Sequence, residues 1–410
     1  MKACARGPWV MLIGVGAVAL WCGATDAQSP EDLLNKVLPT PSESRVLHSR
    51  VVKSGATEVP LRVPEGFTVA LFAEGLVVPR EMAQLPNGDV LVVESAGGRV
   101  TRFADRDADG TPEVRTNFAA GLTQPYGILY RDGFVYVANT DSVVRFPVNP
   151  DGTAGPREEV IPRLEFLGEK LFGGGHWTRD ILFSRDGRRL YVAVGSRGND
   201  EADGPAGRAA ILEYDADGTN PRLFANGLRN PVSIALRPGS DEIWTTVNER
   251  DRLGNDLVPD FVTSVRRDGF YGWPFYYIGP NPDPNHVGAR PDLAGKVIVP
   301  DVLIQSHSAP LGLTFYEGTQ FPEKYRGAAF VGLHGSWNRD PMVGYKVVTI
   351  PFAGGKPAGG AEDFLTGFIK DEHTGEVYGR PVAPFVLRDG SLLVSDDDGG
   401  RVWRVTWKGH

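Results

Sequence analysis

Short apolar runs recur along most of the chain, each opened by a turn in which Gly adjoins Asp, Asn or Ser. The pattern is clearest at Pro86-Asn87-Gly88-Asp89, followed by Val90-Leu91-Val92-Val93, and again at Arg131-Asp132-Gly133, followed by Phe134-Val135-Tyr136-Val137. Further copies begin at Arg185-Asp186-Gly187, Gly239-Ser240-Asp241, Tyr325-Arg326-Gly327 and Arg388-Asp389-Gly390, at spacings of roughly 45 to 90 residues. A second apolar strand follows in the clearest copies, as in Arg99-Val100-Thr101-Arg102-Phe103 and Arg401-Val402-Trp403-Arg404-Val405. Runs this short, bounded by turn residues, predict strands. Six copies predict an all-β, six-bladed β-propeller with four-stranded antiparallel blades. A two-sheet sandwich with long loops is the competing architecture.

Composition sharpens this picture. The 51 glycines and 32 prolines interrupt the 410 residues too often for long amphipathic helices. Lys2 and Arg6, the apolar stretch from Trp9 to Trp21 and the small residues up to Ala27 describe a secretory signal peptide over 1–27. The apolar stretch is shorter than the ~20 residues a span requires, so a mature form without a membrane span, periplasmic or secreted, is expected. Residues 28–58 are polar and contain Pro30, Pro39 and Pro41, which predicts a linker or arm; 59–410 is the propeller domain. Both cysteines, Cys4 and Cys22, fall in the leader, which leaves no disulfide or thiol chemistry to the mature form. A net charge of -8 with interspersed signs argues against nucleic acid.

Candidate chemistry lies on the turns that lead into the first strand of each copy, because such turns converge at a propeller's axis. Gln124, His176, Arg229 with Asn230, His307 and Arg380 hold equivalent places there. His176 follows Gly173-Gly174-Gly175, which permits close approach of a ligand, and a neutral imidazole suits general-base work near pH 7. Arg229 is a fixed cation able to steady developing negative charge on oxygen. Asn248-Glu249-Arg250-Asp251, with Asn255 and Asp256 downstream, offers oxygen ligands for a hard cation such as calcium. Asp105-Arg106-Asp107-Ala108-Asp109-Gly110 matches the first half of a calcium loop but has Thr116 where such a loop carries Glu, so at most a structural ion is expected. The long insertion Asn281 to Pro300 is expected to shape a pocket. Dinucleotide-type and phosphate-loop glycine motifs and a nucleophile elbow are all missing from the sequence.

Gly175-His176-Trp177, Gly227-Leu228-Arg229-Asn230-Pro231 and Gly269-Phe270-Tyr271-Gly272-Trp273-Pro274 together resemble the soluble aldose sugar dehydrogenases, also called glucose or sorbosone dehydrogenases. These are quinoproteins that bind pyrroloquinoline quinone (PQQ) on a six-bladed propeller, and the resemblance runs from about Val63 to Trp407. It implies PQQ and Ca2+ as cofactors and His176 as the base on the sugar hydroxyl. It also implies that Gln124, Arg229 and Asn230 line the quinone pocket, that Arg380 binds cofactor carboxylates, and that Glu249, Arg250 and Asp251 form the calcium segment. Ser306-His307-Ser308-Ala309-Pro310 stands where the family places a later cofactor contact. Gly175 stands where glucose-oxidising members carry an acidic residue, which brings the sorbosone-type branch closer. The implied substrate is a sugar or sugar aldehyde, oxidised to a lactone or acid, with a separate electron acceptor. A calcium-dependent propeller lactonase and a non-catalytic glycan- or protein-binding propeller are the alternatives.

Overall fold

The computed structural model describes residues 47–107 and 109–409. The expected signal peptide, both cysteines and most of the expected arm lie outside these residues. Six antiparallel sheets succeed one another along the chain. Their first strands are Pro79–Gln84, Ile128–Arg131, Arg179–Phe183, Pro231–Leu236, Pro310–Phe315 and Pro381–Val386, which we number as the inner strands of blades 1 to 6. Each inner strand touches those of the neighbouring blades, and the sixth touches the first, so the ring is closed. Closure is made by Phe67–Ala73, which pairs with Arg401–Trp407 and so supplies the outer strand of blade 6 from the start of the described chain.

The unbroken apolar runs have a simple cause. Successive side chains of a strand point to opposite faces, and in a ring of blades both faces are covered. In Val90–Glu94, every residue of which is buried, Leu91 and Val93 pack toward blade 2 while Val90 and Val92 pack toward blade 6. One such apolar cluster fills each of the six spaces between adjacent blades. The core is therefore divided six ways, which is how a chain of this length avoids one oversized interior.

The glycine turns that mark the copies all fall between the first and second strands of their blades. Two features depart from a plain six-by-four plan. Blade 3 gains a fifth strand, Gly269–Phe270, parallel to its outer strand. Outside the ring, the hairpin Leu47–Ser54/Thr57–Pro64 lies against blade 5, where Arg62 bridges to Thr366 and Val59, Leu61 and Val63 are buried with Phe364 and Phe368. Among the described residues no helix is long and apolar enough to cross a membrane.

Candidate functional site

His176 ends the triple-glycine turn just before the inner strand of blade 3. Its backbone N–H donates to the Ser196 carbonyl at 3.1 Å, so the chain already runs beside blade 3's second strand there. Ring atom Nδ1 lies 3.0 Å from Ser196 Oγ and 3.2 Å from Ser196 O. Since Ser196 Oγ–H donates to the Gly198 carbonyl at 2.5 Å, both serine oxygens act as acceptors and Nδ1 must carry the proton. The lone pair is then on Nε2, which has no protein partner among the described residues and belongs to a partly exposed side chain. Burial, reinforced by the charges of Arg229 and Arg208, lowers the imidazole to about 3. The ring is therefore neutral and able to accept a proton throughout the neutral range.

Two buried arginines shape that turn. Arg208 spreads five hydrogen bonds over the carbonyls of Gly195, Leu171, Gly174, His176 and Ser196. Arg179 donates to the carbonyls of His176, Thr178 and Leu171. Neither forms an ion pair among the described residues, and burial lowers them to about 10 and about 9 respectively. Gly175 has φ +67° and a Cβ there would collide with the Arg197 carbonyl. The glycine is thus required by the turn's shape and by its packing.

Arg229, at the turn into blade 4, is joined to His176 through Ser196, whose N–H donates to the Arg229 carbonyl at 2.7 Å. Its guanidinium donates to Asn199 O and Oδ1, to the carbonyls of Asn248 and Glu249, and to Asp251 Oδ2 at 3.0 Å. The other Asp251 oxygen accepts from Asn338 at 2.8 Å and lies 3.6 Å from His307 Nδ1. Burial opposes ionisation of Asp251, but His307 and Arg229 overcome it and hold the carboxyl below its ordinary value. His307, with φ +69°, also meets the Gly254 carbonyl through Nε2 at 2.9 Å. Beside this network Asn230 Oδ1 is buried without a hydrogen bond. A Cβ at Gly195 would strike both that oxygen and His176 Cβ, which places the amide against the histidine.

The circuit continues through blades 5, 6 and 1. Arg380 donates to the carbonyls of His334 and Gly335 and stands over the Tyr345 ring at 5.4 Å; its Nη1 is left without a partner among the described residues. His334 donates to Asp397 at 2.8 Å, and Asp397 pairs with Arg80 at 2.8 Å. Arg80 lies 5.3 Å from the centre of the Trp177 ring, next to His176. Contacts therefore lead from His176 through Arg229, Asp251, His307 and Asn338, along the chain to Gly335, then through Arg380, His334, Asp397 and Arg80 back to Trp177. Gln124, exposed at φ +45°, has no side-chain hydrogen bond among the described residues and stands at the turn into blade 2.

In the expected calcium segment, Glu249 is buried and burial raises its carboxyl to about 7; among the described residues only the Arg250 N–H donates to it. The Arg250 guanidinium is bonded to Asp283 and lies 3.6 Å from Asp200, so this residue offers an ion its carbonyl, which accepts no hydrogen bond among the described residues. Sequence reading missed Asp200, Asp283 and His286, whose ligand atoms lie within 4.8 Å of one another, the two carboxylates beside that guanidinium. It also missed Arg80, Asn199 and Asp397. Asp105, Asp107 and Asp109 converge with Glu113, three places before Thr116. A cavity of about 370 Å³ opens beside the 196–208 loop, lined by Arg197, Trp273, Phe275, Arg290 and Leu293, the last two from the long insertion.

The sequence profile of the TrAA12-like family matches residues 61–263 and 292–408. The chain belongs to that family. Among curated relatives of this TrAA12-like chain, a Borreliella burgdorferi protein of uncharacterised function is 29% identical over 85% of this chain and 91% of its own length. The pyrroloquinoline quinone-dependent pyranose dehydrogenase of Coprinopsis cinerea is 26% identical over 84% of this chain, which spans 54% of that enzyme. The iodide structure of a Trichoderma reesei enzyme of carbohydrate-active family AA12 superposes with a TM-score of 0.72 at 21% identity, covering 84% of this chain and 97% of that one. Such a likeness establishes a shared six-bladed fold.

Proposed function

We propose that this TrAA12-like chain is a quinoprotein that oxidises an aldose sugar or a sorbosone-like sugar aldehyde to a lactone or acid. The observation that carries the reading is His176. Its Nδ1 proton is fixed by Ser196, its Nε2 lone pair is open, and cationic groups lie under and beside it. The PQQ-dependent relative supports the same reading.

The residues fit the cofactors. PQQ is a flat polyanion. Arg179 and Arg208 are buried cations that form no ion pair among the described residues, Arg380 has a donor to spare there, and Asn230 Oδ1 and Asn338 Oδ1 are buried and unsatisfied. Gln124, Arg229, Asn230, His307 and Arg380 would hold the quinone. Glu249, the Arg250 carbonyl and Asp251 would hold calcium, whose oxygen preference they meet. When bound, PQQ supplies a two-electron acceptor and calcium a Lewis acid beside it. His176 Nε2 takes the hydroxyl proton of the substrate, and the positive field of Arg229 steadies the oxygen as its charge grows. Ser196 holds the ring so that only this nitrogen faces substrate. Electrons leave to a separate acceptor. The leader exports the protein to the periplasm or beyond.

Reconstitution with PQQ and Ca2+, followed by dye reduction with a panel of aldoses and aldehydes, tests the reading. Turnover that disappears in His176→Ala while quinone still binds is the expected result. Lactone cleavage without any dye reduction would establish the hydrolase instead.

A further inference from the structure

The added strand of blade 3 and the long insertion meet the 196–208 loop at one place. Phe270 of that strand lies beside Asn226. The chain then turns so that the Trp273 backbone N–H donates to the Gly227 carbonyl at 3.1 Å and its indole N–H to the Asn199 carbonyl at 2.8 Å. Tyr276 OH fixes the insertion by donating to the Arg290 carbonyl at 2.9 Å. These three segments line the cavity of about 370 Å³, a volume in the range of small-molecule sites. His176, Arg229, Asp251, His307 and Arg380 do not line it. Arg208 belongs to both places, since it lines the cavity and holds the carbonyls around His176.

The lining has two characters. Phe270, Trp273, Phe275 and Leu293 make one part of it apolar. Arg197, Glu201 and Asn226 make another part polar, and their side chains form no hydrogen bond or ion pair among the described residues. Arg290 is different: two bonds, at 2.9 and 2.8 Å, commit its guanidinium to Asp292, and it stands over the Phe275 ring at 5.7 Å. The charge is also uneven. Arg197 and Arg208 are cations without an ion pair among the described residues, and they are close enough to feel each other: burial, then the charge of Arg197, lowers Arg208 to about 10. The one carboxylate of the lining, Glu201, is folded against Gly198, where a Cβ would land on it.

A ligand that suits this cavity is one ring in size, apolar on a face and negative at an edge. A hexuronate unit meets all three conditions. Its C–H face lies against aromatic side chains, its hydroxyls meet Glu201 and Asn226, and its carboxylate accepts two parallel bonds from a guanidinium. A neutral pyranose would leave the repulsion between the two arginines unanswered. We propose that the cavity binds the uronate unit of an acidic saccharide, with Arg197 on the carboxylate and Trp273 and Phe275 against the ring. The site is separate from the residues around His176, and it does not rest on the sugar-oxidising reading.

Calorimetric titration of the full chain with methyl glucuronoside tests the site; the blocked anomeric carbon of this probe bars its oxidation to a lactone. One molecule should bind per chain, and more weakly as salt is raised. Methyl glucoside should bind roughly tenfold more weakly, and equimolar acetate should not displace the uronide. Arg197→Gln should weaken binding about tenfold, the share of a charge-assisted hydrogen bond. Ala206→Trp, which brings an indole into the cavity from an exposed lining position, should abolish it. Both side chains are exposed, so neither change should move the melting temperature. No binding by wild type, equal affinity for the glucoside, displacement by acetate, or wild-type affinity in either variant overturns the proposal. A protein that reduces no dye with any sugar and yet binds the uronide loses the function proposed above and keeps this site, whereas dye reduction without uronide binding does the reverse.

Discussion

His176 and His334 both stand at the hub, both are pushed below the usual histidine range by burial, and both have two arginines nearby. Their partners separate them. His176 is anchored by a neutral serine and keeps one ring nitrogen open, whereas His334 donates to Asp397, whose other oxygen is held by Arg80. On the first, the Ser196 carbonyl and the charge of Asp251 do not outweigh burial and the neighbouring cations, so the ring is a free base. On the second, the carboxylate works against burial and ties the ring into an ion-paired chain that links blades 5, 6 and 1. Burial and a place near the axis do not by themselves suit a histidine to the proposed base role; an unspent lone pair on a partly exposed ring does.

The largest expected effect follows from that difference. His176→Ala should lower kcat by about 10²- to 10⁴-fold, the usual loss when a general base is removed. His334→Gln should cost less than tenfold and show its effect in thermal stability. Equal losses of kcat in the two variants would break the comparison. Next comes the cation under the turn. Arg208→Met removes a charged donor from five carbonyls, of which only those of Leu171 and His176 keep a bond from Arg179, which should destabilise the fold by about 3–5 kcal/mol in urea unfolding. The same change removes a charge that depresses His176, so in cofactor-free protein its ring resonances should titrate at higher pH than in wild type. A ring that titrates as before would mean that burial and Arg229 set its value without Arg208.

The propeller was legible because one physical rule, side chains alternating between two covered faces, repeats six times with a glycine turn at the same place in each copy. The turns into blades 2 to 6 were legible for the same reason: equivalence of position stood in for distance. Arg80 escaped because it follows Pro79 in a segment that reads as plain strand, and nothing local shows that its partner, Asp397, is over three hundred residues away. Asn199 escaped similarly. It lies in a loop between strands, and its role appears only when Arg229 and Asp251 are seen to share its side chain and carbonyl. The fifth strand of blade 3 is two residues long and pairs in parallel, too short for any periodicity to announce it.

A smaller effect sharpens the comparison from the His334 side. Burial resists ionisation of Asp397, but the His334 hydrogen bond and the charges of His334 and Arg80 outweigh it and leave the carboxyl below its ordinary 3.8. A carboxyl depressed on folding stabilises the native state above its unfolded value and loses that contribution as pH falls through its folded value. Asp397→Asn should therefore be less stable than wild type by about 2 kcal/mol at pH 7, and the gap should close as the pH drops below 3.8. A gap independent of pH would mean that the side chain acts by packing, not by charge. kcat should change little, because His176 does not depend on this carboxylate.

The smallest effect concerns the rim. Trp337 is 65% exposed, next to the Asn338 that meets Asp251, and it is one of few large apolar side chains so open. An indole in that place gives a sugar ring an apolar face to lie on, worth about 1 kcal/mol. Trp337→Ala should raise KM about fivefold, leave kcat and the melting temperature unchanged, and do so more for larger sugars than for small aldehydes. If KM is unmoved for every substrate, recognition rests on the polar circuit around His176 alone, and the difference between the two histidines then accounts for where substrate is held as well as where its proton goes.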